Sequence, residues 1–139
     1  MRETVIEIAE SVRRGERKAV DVLADTLAAV AAGNDRLGAF VHLDEGLAHA
    51  AAEAVDAAVA AGQDPGPLAG VPIGVKELDS VAGWPATQAC AVFADRRADH
   101  TSLMVDRACR LGGAVAVGLT TASEFGGVNL TRTVLNGIT

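Results

Sequence analysis

Two short runs in this chain carry no charged side chain: Leu68-Ala69-Gly70-Val71-Pro72-Ile73-Gly74-Val75 and Ala114-Val115-Ala116-Val117-Gly118-Leu119. Both are too short for an independent helix, and both lack the polar alternation of a strand with one wet face. They therefore read as strands, near-continuously apolar in the manner of strands covered on both sides. Between them lies a helical segment from Leu103 to Leu111, with Met104, Ala108 and Leu111 on one face and a stop at Gly112-Gly113. Helix followed by buried strand predicts an α/β class, with Val71 to Val75 and Val115 to Leu119 in one sheet.

The N-terminal half has a different period. Thr4-Val5-Ile6-Glu7 has the form of a capping box, and Val5, Ile8, Ala9 and Val12 follow at helical spacing until Gly15. A second helix is predicted from Ala19 to Ala32 through Val20, Leu23, Leu27 and Val30, with Gly33-Asn34 as its stop. Leu37 to Leu43 reads as a strand, Asp44 as a cap, and Glu45 to Ala61 as a third, largely alanine helix. The chain thus divides into residues 1–62, mostly helical, and residues 63–139, an α/β segment, within one domain. Alanine fills 28 positions and aromatic residues only 3%, so the core must be built from small aliphatics at close backbone distances.

Composition removes several function classes. Eighteen acidic against 12 basic residues give a net charge of −6, which argues against a nucleic-acid surface. No apolar run approaches the roughly 18 residues of a membrane span, and two cysteines, Cys90 and Cys109, without a secretory leader fit a reduced, cytoplasmic protein. His49 and Glu53 lie four apart but lack a third ligand, and His42 and His100 have no ligand-spaced neighbour, so no metal and no cofactor are expected. No Gly-Lys-Ser/Thr follows the glycines at 66, 70 and 74, which excludes a phosphate loop. Arg13, Arg14, Arg17 and Lys18 around Gly15 read as a solvated helix terminus.

One residue carries candidate chemistry. Only two of the basic residues are lysines, and Lys76 ends the apolar run while Lys18 sits on a polar turn. Burial at the end of a covered strand would disfavour the charged amine and make it a usable proton acceptor, which arginine cannot become. The plain alternative is a lysine that leaves the strand for water or pairs with Glu77 or Asp79; the pattern alone leaves both open.

The segment Gly66-Pro67-Leu68-Ala69-Gly70-Val71-Pro72-Ile73-Gly74-Val75-Lys76-Glu77, continued by Asp79-Ser80-Val81-Ala82-Gly83-Trp84-Pro85-Ala86-Thr87, resembles the N-terminal hallmark of the amidase signature family. Arg14-Gly15-Glu16, Arg36 to Val41, Leu111 to Val115 and Ser123-Glu124-Phe125-Gly126 resemble further landmarks of that family. The resemblance implies a large mixed sheet flanked by helices, of which this chain would be the N-terminal portion, and hydrolysis of an amide bond by a Ser-Ser-Lys triad in which Lys76 matches the lysine. The family's serines lie in a Gly-Gly-Ser-Ser-Gly-Gly type loop and the stretch after it, which this sequence does not contain. Ser11, Ser80, Ser102 and Ser123 are not flanked by glycines on both sides, and Thr121-Ala122-Ser123-Glu124 reads instead as a second capping box. Glu77 stands where aspartate commonly follows the lysine, and Leu119 where a basic residue often follows the strand glycine. The implied partners are a small-molecule amide substrate and the remainder of the domain or a complementary chain, with self-association through open sheet edges as a further expectation. Alone, the chain is expected to be inactive. A non-catalytic scaffold derived from an amidase is the alternative.

Overall fold

The computed structural model describes residues 3–139. Helix α1 (Val5–Arg13) begins with the reciprocal cap that its sequence predicts. Thr4 Oγ1 accepts from the Glu7 amide at 3.2 Å, and the Thr4 amide donates to Glu7 Oε2 at 2.7 Å. These bonds to Thr4 hold the Glu7 carboxyl below its usual pKa. Ala9 and Val12 are buried on the inner face and Ile8 packs beside them, while Val5 stays exposed. The basic cluster that follows is engaged in exposed ion pairs, Arg14 with Glu16 and Glu10, and Arg17 with Glu3 and Asp25.

Helix α2 (Ala19–Leu37) runs past Gly33-Asn34, contrary to the expected stop, and ends at Gly38 with φ +58°. Asn34 does not break the helix because its side chain finds partners beyond it. Its Oδ1 accepts from the Phe40 amide at 2.8 Å and its Nδ2 donates to the Phe40 carbonyl at 3.0 Å, which ties the helix end to the next strand. At the other end Lys18 offers no side-chain cap, and Asp56 of α3 (Glu45–Ala60) supplies one across space, accepting from Ala19 N at 2.7 Å and Val20 N at 3.3 Å.

Strands β1 (Phe40–Leu43), β2 (Pro72–Lys76) and β3 (Val115–Thr120) form a mixed sheet in the order β1-β3-β2. β3 pairs antiparallel with β1 and parallel with β2, and Lys76 lies opposite Thr120. The crossover from β2 to β3 contains α4 (Leu103–Asp106), continued by one π turn over Arg107–Leu111. A short hairpin, β4 (Arg132–Thr133) and β5 (Gly137–Ile138), closes the described chain.

The two faces of β3 divide the core, and the register shift against β2 between Ala116 and Gly118 puts Leu119 on the face of Ala116. Val115 and Val117 pack with Val12, Leu23, Ala48, Ala52 and Val55 of the helices, whereas Ala116 and Leu119 pack with Val75, Val81, Trp84 and Val105. The second layer corrects two expectations. Met104 and Leu111, which define the apolar face read from the sequence, are 66% and 57% exposed, and Val105 and Cys109 turn inwards instead. Burial raises the Cys109 thiol pKa. The second, predicted capping box does not form, because Thr121 Oγ1 donates to Ala39 O at 3.4 Å and Ser123 Oγ to Val128 O at 2.7 Å. Only a 3-10 turn, Glu124–Gly126, follows Ser123.

Close backbone approach is what the glycine in β3 provides. A methyl group at Gly118 would overlap the His42 carbonyl oxygen, at the place where β1 is bulged between Phe40 and His42. Gly118→Ala is expected to lower the unfolding free energy by about 1–3 kcal/mol in urea titration, by forcing β1 away from β3. An unchanged midpoint would contradict the close packing of this pair.

Candidate functional site

The C-terminal end of β2 gathers the polar groups of the sheet. Lys76 ends the strand, and the Glu77 amide extends the ladder by donating to Thr120 O at 3.0 Å. Asp79 N then returns to Lys76 O at 2.8 Å and turns the chain. Lys76 is exposed, not buried as its apolar approach suggested, because β2 forms one edge of the sheet and nothing in the described chain lies beyond it. It lines a groove with Gly74, Asp79, Met104 and Ala108. Among the described residues its side chain makes no hydrogen bond or ion pair: it leaves the strand for water, as one form of the plain alternative has it, and pairs with neither Glu77 nor Asp79.

Glu77 is occupied elsewhere. It is 2% exposed, and its carboxyl accepts from Thr87 Oγ1 at 2.5 Å and from Asn136 Nδ2 at 3.0 Å on Oε1 and 2.8 Å on Oε2. Thr87 Oγ1 also accepts from Ala89 N at 3.1 Å. Reading the sequence alone misses this group. Its one signal is the position of Glu77 two residues after the buried Val75, which puts a carboxyl on the inward side of an apolar strand.

A second polar unit lies where β1 passes into α3. Asp44 caps α3 by accepting from Leu47 N at 2.9 Å and with its other oxygen accepts from Trp84 Nε1 at 2.8 Å. The Trp84 indole meets the His42 ring edge-on at 5.2 Å. His42 Nε2 is buried without a partner among the described residues. Burial lowers the His42 pKa, opposed by Asp44 and reinforced by Arg97.

The four serines are dispersed. Ser11 Oγ donates to Ile8 O within α1, Ser123 Oγ is engaged by Val128, and Ser102 Oγ is buried without a partner among the described residues. None bonds to Lys76. His49 and Glu53 are exposed on α3, and no group of three His, Cys, Asp or Glu with metal-binding geometry occurs among the described residues. Nor is any helix of the described residues long and apolar enough to cross a membrane.

The profile of the Amidase family matches residues 21–139, which is most of the chain. The chain belongs to the amidase signature family. Among its relatives, a glutamyl-tRNA(Gln) amidotransferase subunit from Salinispora tropica is 42% identical over 119 residues, covering 86% of this chain and 24% of the relative. The protein of the same name from Rhodopirellula baltica is 36% identical over 133 residues, covering 96% and 26%. Amidase signature enzymes also share the fold. A vestigial protein complex described as revealing the origins of an s-triazine catabolic enzyme superposes with a TM-score of 0.92 at 29% identity, over 97% of this chain and 30% of that one. 6-Aminohexanoate cyclic dimer hydrolase gives a TM-score of 0.86 at 28% identity, over 99% and 27%. The chain therefore spans about a quarter of the length of the curated relatives that it matches.

The lowered pKa of the half-buried His42 gives an expected pH dependence of stability with a definite sign. Unfolded His42 takes a proton near its ordinary value of 6.5, whereas the folded residue resists protonation to lower pH. The unfolded state therefore binds more protons as pH falls below that value, and native stability drops. Thermal melts are expected to show Tm falling between about pH 7 and 5.5, with a smaller drop in His42→Asn. An equal drop in both proteins would assign the effect to other groups.

Proposed function

We propose that this chain is the N-terminal part of an amide-bond hydrolase or amidotransferase, in which Lys76 is the proton-transfer lysine of a Ser-Ser-Lys triad. Both serines then belong to sequence that the longer relatives have beyond this stretch. The observation that carries the reading is Lys76 itself: a lysine at the end of a strand in an amidase signature fold, unpaired, facing an open groove, with its acidic neighbour turned inwards. An amine engaged in an ion pair would have to lose that partner before accepting a proton; this one does not.

In the proposed reaction, the neutral amine accepts a proton relayed through a bridging serine while the nucleophilic serine attacks the amide carbonyl. The lysine returns the proton to the nitrogen as the carbon–nitrogen bond breaks, and water or another nucleophile then releases the acyl group. The substrate class is a small-molecule amide, and no cofactor enters. Two free cysteines, Cys90 and Cys109, support a reducing, cytoplasmic setting.

The open surfaces support incompleteness. Among the described residues no strand lies beside the outer edge of β2, and Leu103, Met104 and Leu111 of the neighbouring helix are 65%, 66% and 57% exposed. Apolar surface of this kind beside an unpaired edge is the usual mark of a covering segment. The rest of the amidase domain or a complementary chain is the proposed cover, and pairing between two copies is the competing use of the same edge.

In a chain extended through the serine-bearing region, Lys76→Ala is expected to reduce kcat on a simple aromatic amide by at least about a thousandfold, with KM and Tm little changed. Lys76→Arg should be nearly as damaging, because guanidinium keeps its proton. Ordinary turnover by Lys76→Ala would end the catalytic reading of this residue.

A further inference from the structure

We propose that Glu77 is a positioning residue. Together with Thr87 and Asn136 it forms a clamp that fixes the end of β2 and the adjoining turns so that Lys76 faces outwards. The catalytic consequence rests on the reading of Lys76 given above; the structural half does not.

The clamp joins three segments distant in sequence. Glu77 follows β2, Thr87 lies in the loop before α4, and Asn136 lies in the β4–β5 hairpin. Val75 and Glu77 point to the interior, so Lys76 between them points away. Rotation of the strand end that released Glu77 would carry Lys76 inwards, and the buried carboxyl with its donors opposes that rotation.

The strained backbone of the chain converges on the same group. Among the described residues, the non-glycine positions with positive φ are Gln88 at +54°, Ala89 at +57° and Phe125 at +53°. Left-handed backbone is costly for a residue with a Cβ and persists where its surroundings over-determine it. Here the Ala89 amide is held by Thr87 Oγ1, which donates to Glu77, and the Phe125 amide donates to Gln88 O at 3.0 Å. Thus one carboxyl lies at the root of both strained turns.

Donor and acceptor matching gives a specific test. Glu77 presents only acceptors, and the Asn136 amide nitrogen donates to both oxygens. Glu77→Gln sets an amide donor against Asn136 Nδ2 whichever way the new amide is turned, because Nδ2 lies at 3.0 Å from one carboxyl oxygen and 2.8 Å from the other. Asn136→Asp sets a carboxyl against Glu77. The double variant Glu77→Gln/Asn136→Asp restores one donor facing one acceptor and leaves Thr87 its acceptor.

Amide hydrogen exchange at Ala89 and Phe125 in the 139-residue chain is the first readout. Each single variant is expected to speed exchange by about tenfold or more, and the double variant to recover most of the protection. If Glu77→Gln does not fold, Asn136→Ala, which removes one donor to the carboxyl and leaves Thr87 and its bond to the Ala89 amide in place, should give the same acceleration at Ala89. Unchanged exchange in the single variants, or a double variant no better protected than either, would overturn the clamp. In the extended, active protein kcat should fall in the singles with KM unchanged and return in the double. An unmoved kcat where Lys76→Ala is inactive would overturn the positioning role. Should Lys76→Ala be fully active, the reading of the lysine fails, and the exchange rates alone judge the clamp.

Discussion

Strand β3 is hydrogen-bonded along both edges and covered on both faces, and the other elements take their places from it. Its carbonyls and amides must all find partners, because Val115 to Leu119 are buried from water. β1 and β2 supply those partners from opposite sides, one antiparallel and one parallel. The Asp44 amide donates to Val117 O at 3.1 Å, so even the start of α3 is referred to this strand. At Gly118 the backbones of β1 and β3 approach closer than any side chain permits. Shortening of β3 would therefore release the helical layer and the β2 edge together.

The edge strand inherits its orientation from that pairing. Lys76 lies opposite Thr120, and the Glu77 amide bonds to Thr120 O, so the last well-fixed backbone position of the sheet is also the residue beyond the lysine. A buried carboxyl at that point is costly unless its oxygens are satisfied. Thr87 and Asn136 satisfy them, which draws two distant segments to one place. A similar double use occurs where β1 passes into α3: Asp44 serves a helix terminus and the Trp84 indole together.

Local rules made much of the fold legible. The Thr4–Glu7 box, the Asp44 cap, the two strands and their common sheet all follow from short-range pattern. Where reading failed, a long-range partner had changed the meaning of a local signal. Asn34 reads as a helix stop until Phe40 engages its amide. Thr121 reads as a cap until Ala39 takes its hydroxyl. Met104 and Leu111 read as a core face because apolar periodicity cannot distinguish a core face from an exposed apolar one. For the candidate site, the place of Lys76 at the end of a strand was legible from the apolar run before it, whereas the sequence left open whether the amine was buried or reached water. The Glu77 clamp was hidden because Thr87 and Asn136 are 10 and 59 positions away.

On the proposed reading, this chain carries the lysine of an amidase site and not its nucleophile. Treatment with a serine-directed fluorophosphonate, read by intact mass, addresses that directly, because the probe needs an activated serine and little else. No adduct should form on the 139-residue chain, and a single adduct should form, on a serine beyond Thr139, once the chain is extended through the region present in its longer relatives. An adduct on Ser11, Ser80, Ser102 or Ser123 of the 139-residue chain, accompanied by amide turnover, would contradict the account.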